Sequence, residues 1–149
     1  MTVTERLAAG CVVLRDLPEG LHVLLIHLCN RADPRLPKGG VEAGETYEEC
    51  AIRETAEETG YQVRLTTGKP VVVEALKDRR HPILRLRIHF YVAEAYAGGP
   101  EERRDIDLVT KVSWRPAAEA VKSIRFPEER EALRRCISQY RSGRKPTES

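Results

Sequence analysis

An α/β sandwich, a mixed β-sheet held between helices, is the fold class this sequence predicts. Three observations predict it. Apolar runs with strand character recur along the chain, one helix with well-marked ends interrupts them early, and a second apolar helical stripe closes the chain. The chain of 149 residues is the size of one ordinary domain with a real core. That domain is expected over residues 1–141, with the polar stretch 142–149 as a disordered tail. No apolar run approaches the roughly 20 residues that cross a bilayer, so no membrane partner is expected.

The N-terminus carries Glu5 and Arg6 where a secretion signal needs an apolar core. The four cysteines, Cys11, Cys29, Cys50 and Cys136, are scattered without zinc or redox spacing. They read as buried reduced thiols of a cytoplasmic protein, with a nuclear location or secretion of a processed form as alternatives. Net charge is only +2, yet one stretch is strongly acidic and the remainder therefore basic. That division suits a metal site surrounded by groups that hold an anion.

In chain order, Leu7 to Arg15 and Leu21 to Cys29 are apolar runs separated by Asp16, Pro18, Glu19 and Gly20, an antiparallel hairpin whose second strand is buried on both faces. Pro34, Pro37, Gly39 and Gly40 then make a loop bearing Arg31, Arg35 and Lys38. Lys38 stands directly before the glycine pair, where backbone and side chain can both approach a phosphate.

A helix follows. Thr46 and Glu49 form a capping box, and Gly60 is placed to end the helix in the left-handed conformation. Tyr47, Ala51 and Thr55, flanked by Cys50 and Ile52, give the packing stripe. Glu54, Glu57 and Glu58 stand at i, i+3 and i+4 and are expected to project from a different face. Their repulsion costs roughly a few tenths of a kcal/mol per pair. A hard divalent cation bound by carboxylate oxygens would offset it.

Short strands are expected at Gln62 to Leu65 and Pro70 to Lys77, then a basic loop of Lys77, Arg79, Arg80 and His81 closed by Pro82. Ile83 to Glu94 is the clearest strand, with Leu84, Leu86, Ile88 and Phe90 alternating with Arg85, Arg87, His89 and Tyr91. The cationic face is either a salt-bridged outer surface or an electropositive wall for a polyphosphate, with Arg85 and Arg87 as its contacts. Ala97 to Asp107 reads as a mixed-charge surface loop, and Lys111 to Arg115 as a strand bearing the only tryptophan. Pro116 to Ser123 is a short helix. Pro127 opens the last one, with the stripe Ala132, Leu133, Cys136, Ile137 and Tyr140.

The stretch Gly39, Glu45, Arg53, Glu54, Glu57, Glu58, Gly60 and Tyr61 resembles the signature of the Nudix hydrolase family at every charged and glycine position. Thr55 departs from it, standing where the family has Leu, Ile or Val. The resemblance implies a Nudix fold and a metal-dependent hydrolase of phosphoanhydride bonds. It implies that Glu54 and Glu58 bind Mg²⁺ or Mn²⁺, with Glu57 as ligand or base and Glu54 as the other candidate base. Backbone carbonyls of Gly39 and Gly40 would complete the ligands. Arg53 and Glu45 would form the ion pair that holds helix and loop in register.

RLPKGGVEAGET and the late segment RFPEEREAL are similar to the diphosphoinositol polyphosphate and diadenosine polyphosphate hydrolase branch. On that likeness Arg6, Arg35, Lys38, Arg79, Arg80, Lys111 and Arg125 become candidate phosphate contacts, and the substrate a small polyanion. Two Phe, one Trp and five Tyr weakly disfavour a site built to stack a base. The alternatives are oxidised nucleoside triphosphates, ADP-ribose, nucleotide sugars or an RNA cap as substrate, the cap being the one nucleic-acid partner envisaged, and a silent domain that only binds. Monomer and dimer both remain open.

Overall fold

The strands and helices lie as a mixed sheet with helices on both faces. The structure is a computed structural model and describes residues 3–29, 31–66, 69–77 and 83–143. Strand β1 (Val3–Leu17) turns through Pro18 and Glu19 into β2 (Gly20–Leu28), with Gly20 at φ 126° supplying a backbone conformation closed to most side chains. Two strands as short as β3 (Pro34–Arg35) and β4 (Lys38–Gly40) punctuate the stretch expected to be loop; β4 pairs with Ala8–Gly10 of β1. Helix α1 (Tyr47–Thr59) is followed by β5 (Tyr61–Leu65), β6 (Val71–Lys77) and β7 (Ile83–Gly98). β7 thus runs four residues beyond the expected end at Glu94, because β5 pairs with its last part. A single 3-10 turn, Pro100–Glu102, leads toward β8 (Val109–Pro116), α2 (Ala117–Ser123) and α3 (Pro127–Gly143). Ser142 and Gly143 belong to that helix and not to a tail; residues 144–149 lie outside the described residues.

The sheet order is β3-β2-β1-β7-β5, with β4 on β1, β6 on β7 and β8 on β2. β1 and β7 are parallel over Val3–Val13 and Ile83–Ala93 and the other pairs antiparallel, so the sheet is mixed as expected. Alternation along β1 separates two cores. Ala9, Cys11 and Val13 meet Cys50 and Ala51 of α1, whereas Ala8, Val12 and Leu14 meet Ala132, Leu133 and Cys136 of α3. Small side chains at Cys50 and Ala51 let α1 lie close on the sheet. β2 is buried on both faces: Val23 and Leu25 join one core and Leu24 the other.

Candidate active site

Helix α1 begins and ends as its sequence dictates, and this fixes the site. Thr46 Oγ1 accepts from the Glu49 N–H at 3.0 Å while Glu49 Oε1 accepts from the Thr46 N–H at 2.9 Å. At the other end Gly60, at φ 80°, donates its N–H to the Ala56 carbonyl at 2.9 Å.

The three carboxylates expected to share one face have different surroundings. Glu58 is buried, 6% exposed, and its Oε1 accepts from the Lys38 N–H at 2.9 Å. Burial pushes its carboxyl up to about 8, with the Glu54 charge adding to the rise and the Lys38 N–H opposing it. Burial also raises Glu54 above the usual carboxylate range, against the pull of Arg53. Glu57 turns to Arg53, whose Nη1 donates to it at 3.2 Å.

The partner that completes the cluster is Asp105, a residue expected to be mere surface loop. Oxygens of Glu54, Glu58 and Asp105 all lie within 4.8 Å of one another. Asp105 is delivered by backbone: the Arg104 and Asp105 N–H groups both donate to the Glu57 carbonyl, at 2.9 and 3.0 Å. Just before this loop the Gly99 N–H donates to the Gly60 carbonyl at 3.2 Å, and a Cβ on Gly60 or on Gly98 would overlap the facing glycine's backbone. The pair Gly98-Gly99 facing Gly60 is the signal in the sequence that could have found this loop. Three converging carboxylates, one of them buried and held short of easy ionisation, form an oxygen donor set that fits a hard divalent cation.

Arg53 braces the arrangement. Its Nε donates to Glu45 Oε2 at 2.6 Å and its Nη2 to Glu45 Oε1 at 3.0 Å, a bidentate pair. The same guanidinium reaches Glu54 at 2.9 Å and the Gly40 carbonyl at 3.1 Å. Arg53 therefore ties the glycine loop to Glu54 and Glu57 of the acidic row. The guanidinium holds the Glu45 carboxyl down to about 2 and is itself raised in return. The Gly39 carbonyl accepts from the Cys50 thiol at 3.5 Å.

On the opposite side of β4 opens a cavity of about 650 Å³. Arg6, Arg31, Arg35, Lys38 and Lys77 line it together with Gly39, Gly40, Val41, Leu7, Ala8, Leu84 and Leu86. Gly39 is common to both parts: it lines the cavity, and its Cα faces the Glu54 carboxylate closely enough that a Cβ would overlap it.

Of the expected phosphate contacts, Arg6, Arg35 and Lys38 stand in this cavity. Arg31 and Lys77, cations noted in the sequence but not assigned a role, join them. Arg85 and Arg87 do not. They share the sheet face of Glu74, to which Arg87 is paired at 3.1 Å, while Leu84 and Leu86 on the alternate face line the cavity. Neither arginine is among the residues that line the cavity, and Arg87 is salt-bridged on that other face. Lys111 is exposed on β8 opposite His27, away from the cavity lining, and Arg125 is exposed beside Asp33 at 3.6 Å. Arg79 and Arg80 lie outside the described residues.

The departure at Thr55 is real in space as well. Its hydroxyl is buried and makes no hydrogen bond of ordinary geometry, with the Cys11 thiol as its polar neighbour.

A family model described as NUDIX domain matches residues 4–136. The chain is 30% identical to the 8-oxo-(d)GTP phosphatase of Mycolicibacterium smegmatis, an alignment covering 87% of this chain and 41% of that protein. It is likewise 30% identical to the putative mutator protein MutT4 of Mycobacterium tuberculosis, over 87% of this chain and 54% of that one. The chain spans about half the length of these curated relatives. Among solved structures, the Ap4A hydrolase of C. elegans in a binary complex superposes with a TM-score of 0.72 at 22% identity, covering 93% of this chain and 98% of that one. A MutT NUDIX hydrolase from Burkholderia pseudomallei gives 0.65 at 24% identity, over 88% and 97%. At these identities the two structures speak for the fold.

Proposed function

The chain belongs to the Nudix family, and from that premise we propose that it is a divalent-metal-dependent hydrolase of a phosphoanhydride bond in a small, densely phosphorylated compound. The observation that carries this reading is the convergence of Glu54, Glu58 and Asp105 beside a five-cation cavity, joined at Gly39.

Glu54, Glu58 and Asp105 are the residues that would hold Mg²⁺ or Mn²⁺, with a backbone carbonyl of Gly39 or Gly40 as a further ligand. Such an ion supplies charge neutralisation at the phosphate oxygens and a more acidic water. Arg6, Arg31, Lys38 and Lys77 bind the phosphate chain and set which anhydride lies at Gly39. Gly39, lacking a side chain, lets a phosphoryl group come close to the acidic row. Arg53 keeps Glu54 and Glu57 from swinging apart, and Glu57, held at the rim by that bond, is the group assigned to take the proton from attacking water.

The lining of the cavity supports a substrate class. Five cations suit a polyanion such as a diphosphoinositol polyphosphate, and a dinucleoside polyphosphate or inorganic polyphosphate shares the same chemistry. No aromatic side chain lines the cavity among the described residues. Phe126, the nearby ring, is already covered by Arg35 at 4.2 Å and Lys77 at 4.9 Å. Against this stands a second reading, an oxidised nucleoside triphosphate, favoured by the name of the 30% identical M. smegmatis relative.

A substrate panel with Mg²⁺ and Mn²⁺ decides between them. It includes an inositol pyrophosphate, a dinucleoside polyphosphate, tripolyphosphate and 8-oxo-dGTP. Turnover of the first two supports the proposal; turnover of mononucleoside triphosphates alone overturns the substrate class.

A further inference from the structure

The cation wall of the cavity is anchored from far along the chain. Glu129, in the first turn of α3, is completely buried, and both its oxygens are engaged. Oε2 accepts from Arg35 Nε at 3.1 Å and Nη2 at 2.6 Å, and Oε1 accepts from the Leu36 N–H at 2.9 Å. The face of the Arg35 guanidinium rests on Phe126, its carbon 4.2 Å from the ring centroid. A guanidinium gripped through Nε and Nη2 keeps the two Nη1 N–H groups and the outer Nη2 N–H as its remaining donors, and Arg35 lines the cavity. An ion pair buried this deeply is a poor source of stability, because desolvation offsets most of the attraction. What it supplies, and an apolar pair could not, is direction.

We propose that Glu129 is a positioning residue for substrate binding, turning the remaining donors of Arg35 into the cavity and fixing the Leu36 backbone ahead of the Lys38–Gly39 segment. Phe126 completes the mount. The inference rests on the phosphate-binding role given above to the cavity.

The test is calorimetric binding of inorganic tripolyphosphate in metal-free buffer, with kcat and KM for whichever substrate is hydrolysed. Glu129→Gln and Arg35→Gln are each expected to weaken tripolyphosphate about ten-fold, about 1.4 kcal/mol, and the double variant no further than either alone. KM should rise while kcat stays close to wild type. Tight binding by Glu129→Gln, or single effects that multiply in the double variant, overturns the proposal. Phe126→Leu keeps the ion pair and removes only the plate. It should also weaken tripolyphosphate, and unchanged binding in that variant counts against the mount even if Glu129→Gln does not fold. Failure of the hydrolase reading has a separate signature, absent turnover by wild type across the panel, and the binding ratios still decide the role of Glu129.

Discussion

Gly39→Ala puts the junction of cavity and acidic row to a direct test. The added methyl carbon would fall within contact distance of Glu54 Cδ and both its carboxylate oxygens. Helix α1 cannot back away, because Cys50 and Ala51 are fully buried against the sheet. The carboxylate must therefore swing aside, losing its place beside Glu58 and Asp105 and its 2.9 Å bond to Arg53. A displacement of about 1 Å at a reacting centre costs about 100-fold in rate, equivalent to about 2.7 kcal/mol. The fold should hardly notice. Gly39 does not need a positive φ, and the lost bond at the site rim costs about 1 kcal/mol, a fall of about 2–4 °C in Tm.

Gly40→Ala is the control, since nothing lies within 4 Å of a Cβ there and its carbonyl is retained. Steady-state kinetics with Mg²⁺ and thermal denaturation on the same preparations give the answer. Wild-type kcat/KM in Gly39→Ala, or equal loss in Gly40→Ala, would refute the reasoning, and so would an unfolded Gly39→Ala.

Thr55→Val removes a buried hydroxyl that makes no hydrogen bond of ordinary geometry and should stabilise the protein by about 1–2 kcal/mol, read as a raised denaturation midpoint in urea. Asp105→Asn should raise the Mg²⁺ concentration needed for half-maximal rate by ten-fold or more, with little change in substrate KM at saturating metal; an unchanged requirement removes Asp105 from the ligand set. Arg6→Glu should raise KM and flatten its salt dependence, whereas Arg87→Glu should leave both as they are, because Arg87 faces away from the cavity. The Glu45 carboxyl is held at about 2 by Arg53, so its contribution to stability is full above about pH 4.5 and is lost as pH falls toward 2. Arg53→Met should abolish this acid-sensitive component, and denaturant midpoints across that window measure it.

The ends of α1 could be read in advance because they are local, a cap and a terminating glycine, whereas the pairing of Arg53 with Glu45 in the preceding loop was legible only through the family resemblance. The sheet alternation was equally legible, and Leu84 and Leu86 do alternate with Arg85 and Arg87. What alternation cannot say is which face meets the cavity. That depends on the parallel pairing of β7 with β1, which sets Leu86 beside Arg6. Asp105 was hidden for the same kind of reason. It reaches Glu58 only because a strand longer than expected carries Gly98 and Gly99 back to Gly60. Glu129 is one of two first-turn acids of the terminal helix. Only tertiary packing brings it under Arg35, so no spacing along the chain could announce the contact. The division of the acidic helix into a packing face and a metal face also needs adjustment. Glu58 is buried with the packing residues, and it is this burial that raises its carboxyl and makes a cation partner natural.

The most direct measurement of the central claim follows ¹⁸O from water into the phosphate products by ³¹P NMR, for wild type and Glu58→Gln, with and without EDTA. Metal-dependent ¹⁸O incorporation from an inositol pyrophosphate or dinucleoside polyphosphate, lost on chelation and reduced at least 100-fold in Glu58→Gln, is the expected result. Turnover that survives both the chelator and the substitution would contradict it.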